Sequence, residues 1–165
     1  MSLIITLELE PGAQSFFNAL REKHFPGHAN YLDAHITLFH KLPGDEPAVH
    51  EHLERFAVRG PMLLEVSGVK NFGKGVAYNI NSPELDTLHV DMQQAFWPWL
   101  IRQDRLRRWP HITIQNKVTA FKASCLHEEL LKDFTPFSIT ATGLLSWQYL
   151  KGPWKALGRY PFTTK

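Results

Sequence analysis

The chain has 165 residues, of which 44% are hydrophobic and 21% are charged, and its formal net charge is +2. This length suits a single compact domain over residues 1–165, and the composition excludes a chain that is mainly disordered. The small net charge excludes general nucleic-acid binding through overall charge, so any such contact must depend on a local cluster.

The first half of the chain alternates predicted strands and helices. Residues 3–10 read as a strand that ends at a Pro-Gly turn, and a helix follows over 13–23. A loop over 24–30 then leads into a strand over 34–42, which also stops at Pro-Gly. The apolar spacing over 46–57 predicts a second helix.

The second half repeats this alternation. Two strands over 62–70 and 76–80 form a predicted hairpin. Ser82 followed by Pro83 predicts the start of a helix that runs to about Phe96, before Pro98. The remaining predicted elements are a strand over 111–118, a helix over 121–132, and strands over 137–146 and 154–162.

Cysteine content and the N-terminal residues predict the cellular setting. Cys125 is the only cysteine, so no internal disulfide can form and a reducing compartment is expected. Its apolar position in a predicted helix indicates a buried structural thiol. No basic segment precedes Glu8, and no apolar run approaches the roughly 20 residues that span a membrane. We therefore expect a cytoplasmic protein without membrane contact.

A tetrapeptide occurs twice, as His-Ile-Thr-Leu at 35–38 and His-Ile-Thr-Ile at 111–114. Side chains two apart on a strand share a face, so each histidine should lie beside its own threonine. Strand, helix and strand follow both copies, and Gly68 and Gly143 lie at similar distances from them. This order indicates an internal duplication, in which a pseudo-twofold axis would bring the two motifs face to face.

Two facing imidazoles suit acid–base chemistry at phosphorus. A neutral imidazole takes a proton and an imidazolium gives one near pH 7, while attacking and leaving oxygens lie on opposite sides of phosphorus. The hydroxyl groups of Thr37 and Thr113 could hold phosphate oxygens. Each histidine alone reads best as a structural strand residue; the pair, with its duplicated context, favours catalysis. A zinc site is not expected, because the chain has no cysteine pair and no His-Glu-x-x-His helix.

The duplicated His-x-Thr pattern, with Pro110 before the second copy, resembles the two-histidine phosphoesterases, which include RNA 2′,3′-cyclic phosphodiesterases and 2′-5′ RNA ligases. The resemblance covers nearly the whole chain. It implies an α+β fold with bilobal, pseudo-twofold antiparallel sheets and flanking helices around a central cleft. It also implies catalysis by His35 and His111, in unassigned acid and base roles, and phosphate binding by Thr37 and Thr113.

The resemblance further implies hydrolysis of 2′,3′-cyclic phosphates at RNA 3′ ends or on small nucleotides, without a cofactor or metal. The most frequent product would be the 2′-phosphomonoester. Two alternatives stay open: a noncatalytic module that binds RNA or nucleotides, and joining of RNA ends through a 2′-5′ bond in the same cleft. We expect a monomer.

Several residues around the second motif are candidate substrate contacts. A basic cluster runs over 102–109, and Arg105, Arg107 and Arg108 could hold RNA phosphates, although a solvated linker explains such a charge run equally well. Many members of the family carry a basic residue shortly after the second motif, where this chain has Gln115-Asn116-Lys117, so Lys117 is a further candidate.

Strand alternation predicts the orientation of other residues near the motifs. It places Phe39 and Gln115 on the faces of their motif histidines, with core packing the favoured role for Phe39. It directs His40 to the opposite face, away from the cleft. Trp147, Tyr149 and Trp154 could stack a nucleobase, but packing in the core and at its rim is the simpler interpretation.

Overall fold

The computed structural model describes residues 1–164, which contain one antiparallel sheet of seven strands and four α-helices. The strands are β1 (Ser2–Leu9), β2 (Thr37–Pro43), β3 (Met62–Asn71), β4 (Val76–Asn81), β5 (His111–Gln115), β6 (Phe137–Tyr149) and β7 (Trp154–Pro161). The helices are α1 (Pro11–His24), α2 (Pro47–Phe56), α3 (Pro83–Phe96) and α4 (Ala120–Leu131). Short 3₁₀ helices cover Gly27–Ala29, Trp97–Trp99 and Arg102–Arg105.

The order of elements repeats once along the chain. The series β1-α1-β2-α2-β3 is followed by β4-α3-β5-α4-β6, and β7 comes last. Across the sheet the order is β2-β1-β6-β3-β4-β5, with β7 also paired to β6. The pair β6 and β3 therefore joins two lobes of like topology, while the motif strands β2 and β5 occupy the two ends. The predicted α+β, pseudo-twofold fold is confirmed, with one continuous, nearly closed sheet shared by both lobes.

Local signals explain where helices begin. Ser82 accepts a hydrogen bond from the backbone nitrogen of Leu85, and Pro83 occupies the first turn of α3, where its missing N–H costs nothing. The buried faces of the helices then pack on the sheet. The largest side chains without solvent exposure include Phe17 of α1 and Phe96 of α3.

The two motif strands are shorter than predicted. β2 begins at Thr37, so His35 lies in an irregular segment, although the Ile36 carbonyl still accepts a hydrogen bond of 3.0 Å from Leu7. β5 ends at Gln115 because Lys117 adopts φ +61°, a left-handed conformation that a strand does not tolerate.

A β-bulge follows each motif threonine at the same place. Thr6 pairs with Thr37 whereas Ile5 pairs with Phe39, so Leu38 is an extra residue in β2. In β5, Thr113 pairs with Ala77 and Gln115 pairs with Val76, so Ile114 is the extra residue. The predicted sharing of faces is therefore wrong: Phe39 and Gln115 point to the side opposite their threonines. Phe39 is fully buried, which confirms core packing.

Two further expectations concern Cys125 and membrane contact. Cys125 is exposed, so the prediction of a buried thiol is wrong. The buried face of α4 consists of Ala123 and Leu126, and position 125 lies outside that stripe. No helix within residues 1–164 is both long and apolar enough to cross a membrane.

Candidate active site

His35 lies just before β2, and its ring is held by its own backbone. Nδ1 donates a hydrogen bond of 2.8 Å to the carbonyl oxygen of Asp33. Because a carbonyl oxygen only accepts, the proton of the neutral ring lies on Nδ1 and Nε2 is left as an acceptor. Nε2 is therefore the ring nitrogen available for proton transfer.

His111 is the first residue of β5, and its ring is held in the same way. Nδ1 donates a hydrogen bond of 2.7 Å to the carbonyl oxygen of Trp109. In both lobes the acceptor lies two residues before the histidine. The duplicated sequence thus produces two imidazoles with the same tautomer and the same free nitrogen.

The surroundings of both imidazoles favour the neutral form. The pKa of His35 is lowered to about 4, chiefly by burial and also by the charges of Arg21, His111 and His40. The hydrogen bond to Asp33 acts in the opposite direction and raises this pKa. Burial also lowers the pKa of His111, as do the charges of Arg108, His40 and Lys70. Arg21, whose charge lowers the pKa of His35, also binds the Thr113 carbonyl at 2.8 Å, so the surroundings of the two motifs are connected across the lobes.

The motif threonines complete the candidate site. Thr37 and Thr113 are half-buried, and neither hydroxyl has a hydrogen-bond partner in the described part of the chain. Thr37 shares the face of Thr6, and Thr113 that of Ala77, in corresponding positions of the two lobes. Two partly exposed hydroxyl groups can thus donate hydrogen bonds to an anion.

Each histidine has a tryptophan neighbour. The ring of Trp109 stacks on that of His111, with centroids 3.9 Å apart and planes inclined by 15°. Lys70 Nζ lies 4.3 Å from the centre of the Trp109 ring. On the other side, the ring centroid of Trp154 lies 4.7 Å from that of His35. Trp154 thus lies beside the candidate site, whereas the sequence favoured packing in the core and at its rim for this residue.

A cavity of about 430 Å³ adjoins His35. Its walls include three aromatic side chains and two carboxylates, from Tyr31, Trp147, Trp154, Glu8 and Asp33. No basic side chain other than His35 is in its lining. The cavity therefore suits a flat, uncharged group rather than a phosphate.

The predicted basic contacts occupy different places. Arg107 and Arg108 line a second cavity of about 390 Å³, together with Thr37 and part of α3. Arg105 is instead directed to the Trp97 carbonyl, at 3.1 Å, with its guanidinium 4.7 Å from the Trp97 ring centre. Lys117 is exposed in the turn after β5. Their role as substrate contacts stays a prediction.

His40 differs from the prediction that it points away from the cleft. Besides the bulge at Leu38, β2 has a second irregularity between Phe39 and Leu42, so His40 does not follow simple strand alternation. Its Nδ1 donates to the fully buried Asp104 at 2.9 Å. Although burial raises the pKa of Asp104, hydrogen bonds from His40 and Lys41 hold it below its usual value. His40 is thus an ordered, polar neighbour of the site.

Arg21 of α1 contacts the second motif, although nothing in the sequence indicated a role for it at the site. Only 3% of it is exposed, and its Nη1 donates a hydrogen bond of 2.8 Å to the Thr113 carbonyl in the other lobe. An arginine in an amphipathic helix reads as a solvated residue, so no local signal marks it.

Comparisons with known proteins bear on the fold and the family of the chain. The family model of the 2′-5′ RNA ligase superfamily matches residues 9–153. Among curated protein sequences, none is significantly similar to this chain. The protein TT0787 of Thermus thermophilus superposes with a TM-score of 0.69 at 16% identity, over 98% of both chains. Escherichia coli LigT complexed with 3′-AMP superposes with a TM-score of 0.60 at 18% identity, also over 98% of both chains. These structures share the fold, and the family match extends over most of the sequence: the chain belongs to the 2′-5′ RNA ligase superfamily of two-histidine phosphoesterases.

Proposed function

We propose that the protein is a metal-independent phosphoesterase that hydrolyses 2′,3′-cyclic phosphates on small nucleotides or at RNA 3′ ends. The observation that carries this proposal is the pair of histidines with the same tautomer and an available Nε2. Each stands two residues before a threonine whose hydroxyl has no protein partner in the described chain. The family supports an enzyme acting on phosphate esters, and the site supports the class of reaction.

In the proposed reaction, a water molecule attacks phosphorus in line with the departing ribose oxygen. One imidazole takes the proton of the water through Nε2, a phosphorus–oxygen bond to the ribose breaks, and the other imidazole, charged at the start, protonates that oxygen. Thr37 and Thr113 donate hydrogen bonds to the nonbridging oxygens. Rupture of the bond to the 3′ oxygen yields the 2′-phosphomonoester.

One imidazole must therefore be charged while the other is neutral. In the free protein, burial lowers the pKa of both His35 and His111. The negative charge of a bound phosphate opposes this effect, because an anion stabilises a nearby imidazolium. Substrate binding would thus raise the pKa of a nearby imidazole and favour its protonated form.

The cavity beside His35 supports a nucleoside as the group attached to the phosphate. Trp154, Trp147 and Tyr31 provide aromatic surface. The carboxylate of Asp33 would repel a further phosphate, whereas that of Glu8 is paired with Arg159. E. coli LigT, which has the same fold, is known in complex with 3′-AMP and with NADP+. Both ligands of that protein contain a nucleoside.

The test is incubation with a 2′,3′-cyclic mononucleotide and with a short RNA that ends in the same group, in the presence of EDTA. Chromatography that resolves 2′- and 3′-phosphates identifies the bond that breaks. We expect turnover in EDTA, and a loss of nearly all turnover in His35→Ala and in His111→Ala. The exposed residue His28, in the 3₁₀ helix Gly27–Ala29, provides a matched control, since His28→Ala should keep the activity of the natural protein.

Each alternative has its own outcome in the same assay. Binding without turnover would favour the noncatalytic module, whereas consumption of RNA ends into longer products would favour end joining. Activity that survives both histidine substitutions would overturn the mechanism. Arg107→Gln tests whether the polymer is the substrate. A loss of activity on RNA, with unchanged activity on the mononucleotide, would indicate that Arg107 contacts the polymer.

A further inference from the structure

Two arginines connect the lobes at the candidate site. Arg21, from the first lobe, donates from Nη1 to the backbone carbonyl of Thr113 in the second lobe, at 2.8 Å. Arg108, from the second lobe, donates from Nη2 to the backbone carbonyl of Thr37 in the first lobe. Each guanidinium thus binds the motif threonine of the other half.

These contacts lie at open edges of the sheet, on the strands β2 and β5. β2 and β5 end the strand order, so each has one side without a partner strand in the described sheet. Carbonyl groups on such an edge can pair with any strand that approaches. A guanidinium on each threonine carbonyl occupies that position. Because His35 lies two residues before β2 begins and His111 opens β5, the placement of these two strands also affects the placement of the two histidines.

Arg21 also orders the segment that precedes His35. Its Nε lies 3.2 Å from Asn30 Oδ1 and 3.1 Å from the Leu32 carbonyl oxygen. The next residue, Asp33, supplies the carbonyl that binds His35 Nδ1. One side chain thus connects the support of the first histidine with the strand that carries the second.

The guanidinium fork is suited to this task. Arginine offers five N–H donors in a planar arrangement, whereas lysine offers a single rotating ammonium group. Arg21 is additionally packed on Phe25, with its guanidinium carbon 4.2 Å from the ring centre. Arg108 is partly buried, and its Nε has no hydrogen-bond partner within residues 1–164.

We propose that Arg21 and Arg108 are a reciprocal pair of positioning residues that hold the two motif strands at the spacing required for catalysis. Their charges have a consistent second effect on the imidazoles. The charge of Arg21 lowers the pKa of His35, and the charge of Arg108 lowers that of His111. His40 also lowers the pKa of both histidines, Lys70 lowers that of His111, and His111 lowers that of His35.

This inference depends on the proposed function only for its activity readout, so two measurements are needed. The first is the titration of His35 and His111 in the protein alone, from NMR signals of their ring protons. In Arg21→Gln we expect the titration midpoint of His35 to rise more than that of His111. In Arg108→Gln the order should be reversed.

The second measurement is steady-state hydrolysis of a 2′,3′-cyclic nucleotide. Both glutamine variants should lose about tenfold or more in kcat, with a smaller change in KM, because displaced reacting groups impair turnover more than binding. Arg21→Lys and Arg108→Lys retain the charge without the fork. They should keep the low midpoints of the histidines and still lose kcat.

The controls are Lys23→Gln on the exposed face of α1 and Lys132→Gln after α4, which should leave both midpoints and kcat unchanged. Thermal unfolding shows which variants fold. If a glutamine variant does not fold, the lysine variant at the same position takes its place in both measurements. Folded variants with unchanged midpoints and with kcat within about twofold of the natural protein would overturn the proposal. If the natural protein shows no turnover, the proposed function fails, whereas the crossed titration pattern still tests the pair.

Discussion

At the scale of single residues, the threonine hydroxyls are the clearest test of phosphate binding. Thr37→Val and Thr113→Val preserve side-chain shape and remove one donor each. Neither hydroxyl has a protein partner to lose in the described structure, so the free protein should keep its stability. We expect each variant to weaken binding of a cyclic nucleotide by about 1–3 kcal/mol, the usual effect of losing a hydrogen bond to a charged group.

The measurement is KM together with the dissociation constant of inorganic phosphate. Thr→Ser at either position retains the hydroxyl and should restore most of the affinity. Thr140→Val, on β6 in the middle of the sheet, is a matched control away from the motifs. Unchanged phosphate affinity in both motif variants would show that the phosphate lies elsewhere.

At the scale of elements, the position of β5 depends on a close approach at Gly75. A Cβ atom at this glycine would lie 1.9 Å from the Gln115 carbonyl oxygen and 2.8 Å from the Asn116 Cα atom. Gly75→Ala must therefore displace the end of β5 from the β3–β4 hairpin. We expect a loss of about 3 kcal/mol or more in the free energy of unfolding, the upper range for overpacking.

Urea denaturation measures this effect, with Gly27→Ala as the matched control. No atom lies within 4 Å of a Cβ at Gly27, so that variant should stay within about 1 kcal/mol of the natural protein. Equal stability of the two alanine variants would mean that β5 adjusts freely, and that the observed register does not constrain His111.

The duplicated bulges show where element prediction from sequence ends. Leu38 and Ile114 are apolar residues of the kind found throughout strands, so the sequence predicts that side chains alternate strictly between the two faces of the sheet. A bulge adds one residue to one strand of a pair and is visible only when the partner strand is known. This is why the orientations of Phe39, His40 and Gln115 could not be predicted.

At the scale of the whole molecule, buried neutral histidines predict sensitivity to acid. His89 is 5% exposed, and burial lowers its pKa to about 4. Between about pH 6.5 and 4 the unfolded chain binds a proton that the folded protein does not, so stability falls as the pH falls. In that window, one such group changes the free energy of unfolding by up to about 1.4 kcal/mol per pH unit.

The variant His89→Gln tests this linkage. Glutamine can still donate a hydrogen bond to the Leu38 carbonyl, which lies 3.2 Å from His89 Nε2, and it does not titrate. The free energy of unfolding, measured in urea at about pH 7 and pH 5, should then change less than in the natural protein. His28→Gln, at an exposed position of the 3₁₀ helix Gly27–Ala29, provides the same substitution away from the core for comparison. An unchanged slope in His89→Gln would contradict the linkage.

Sequence alone determined the features that depend on neighbouring residues. The Ser82 cap, the order of strands and helices, and the pairing of each motif histidine with a threonine two residues later all follow from local spacing. The duplication also pointed to the family, because two copies of one motif carry more information than either copy alone. These features need only chain geometry, which is the same in every fold.

The tertiary structure decided everything that depends on residues distant in sequence. The exposure of Cys125, the proximity of Trp154 to His35 and the crossing of Arg21 to Thr113 all involve elements that meet only after folding. A side chain in a helix has the same local pattern whether it reaches solvent or another lobe. The physical reason is that hydrogen bonds and burial depend on distances in space, which local spacing does not encode.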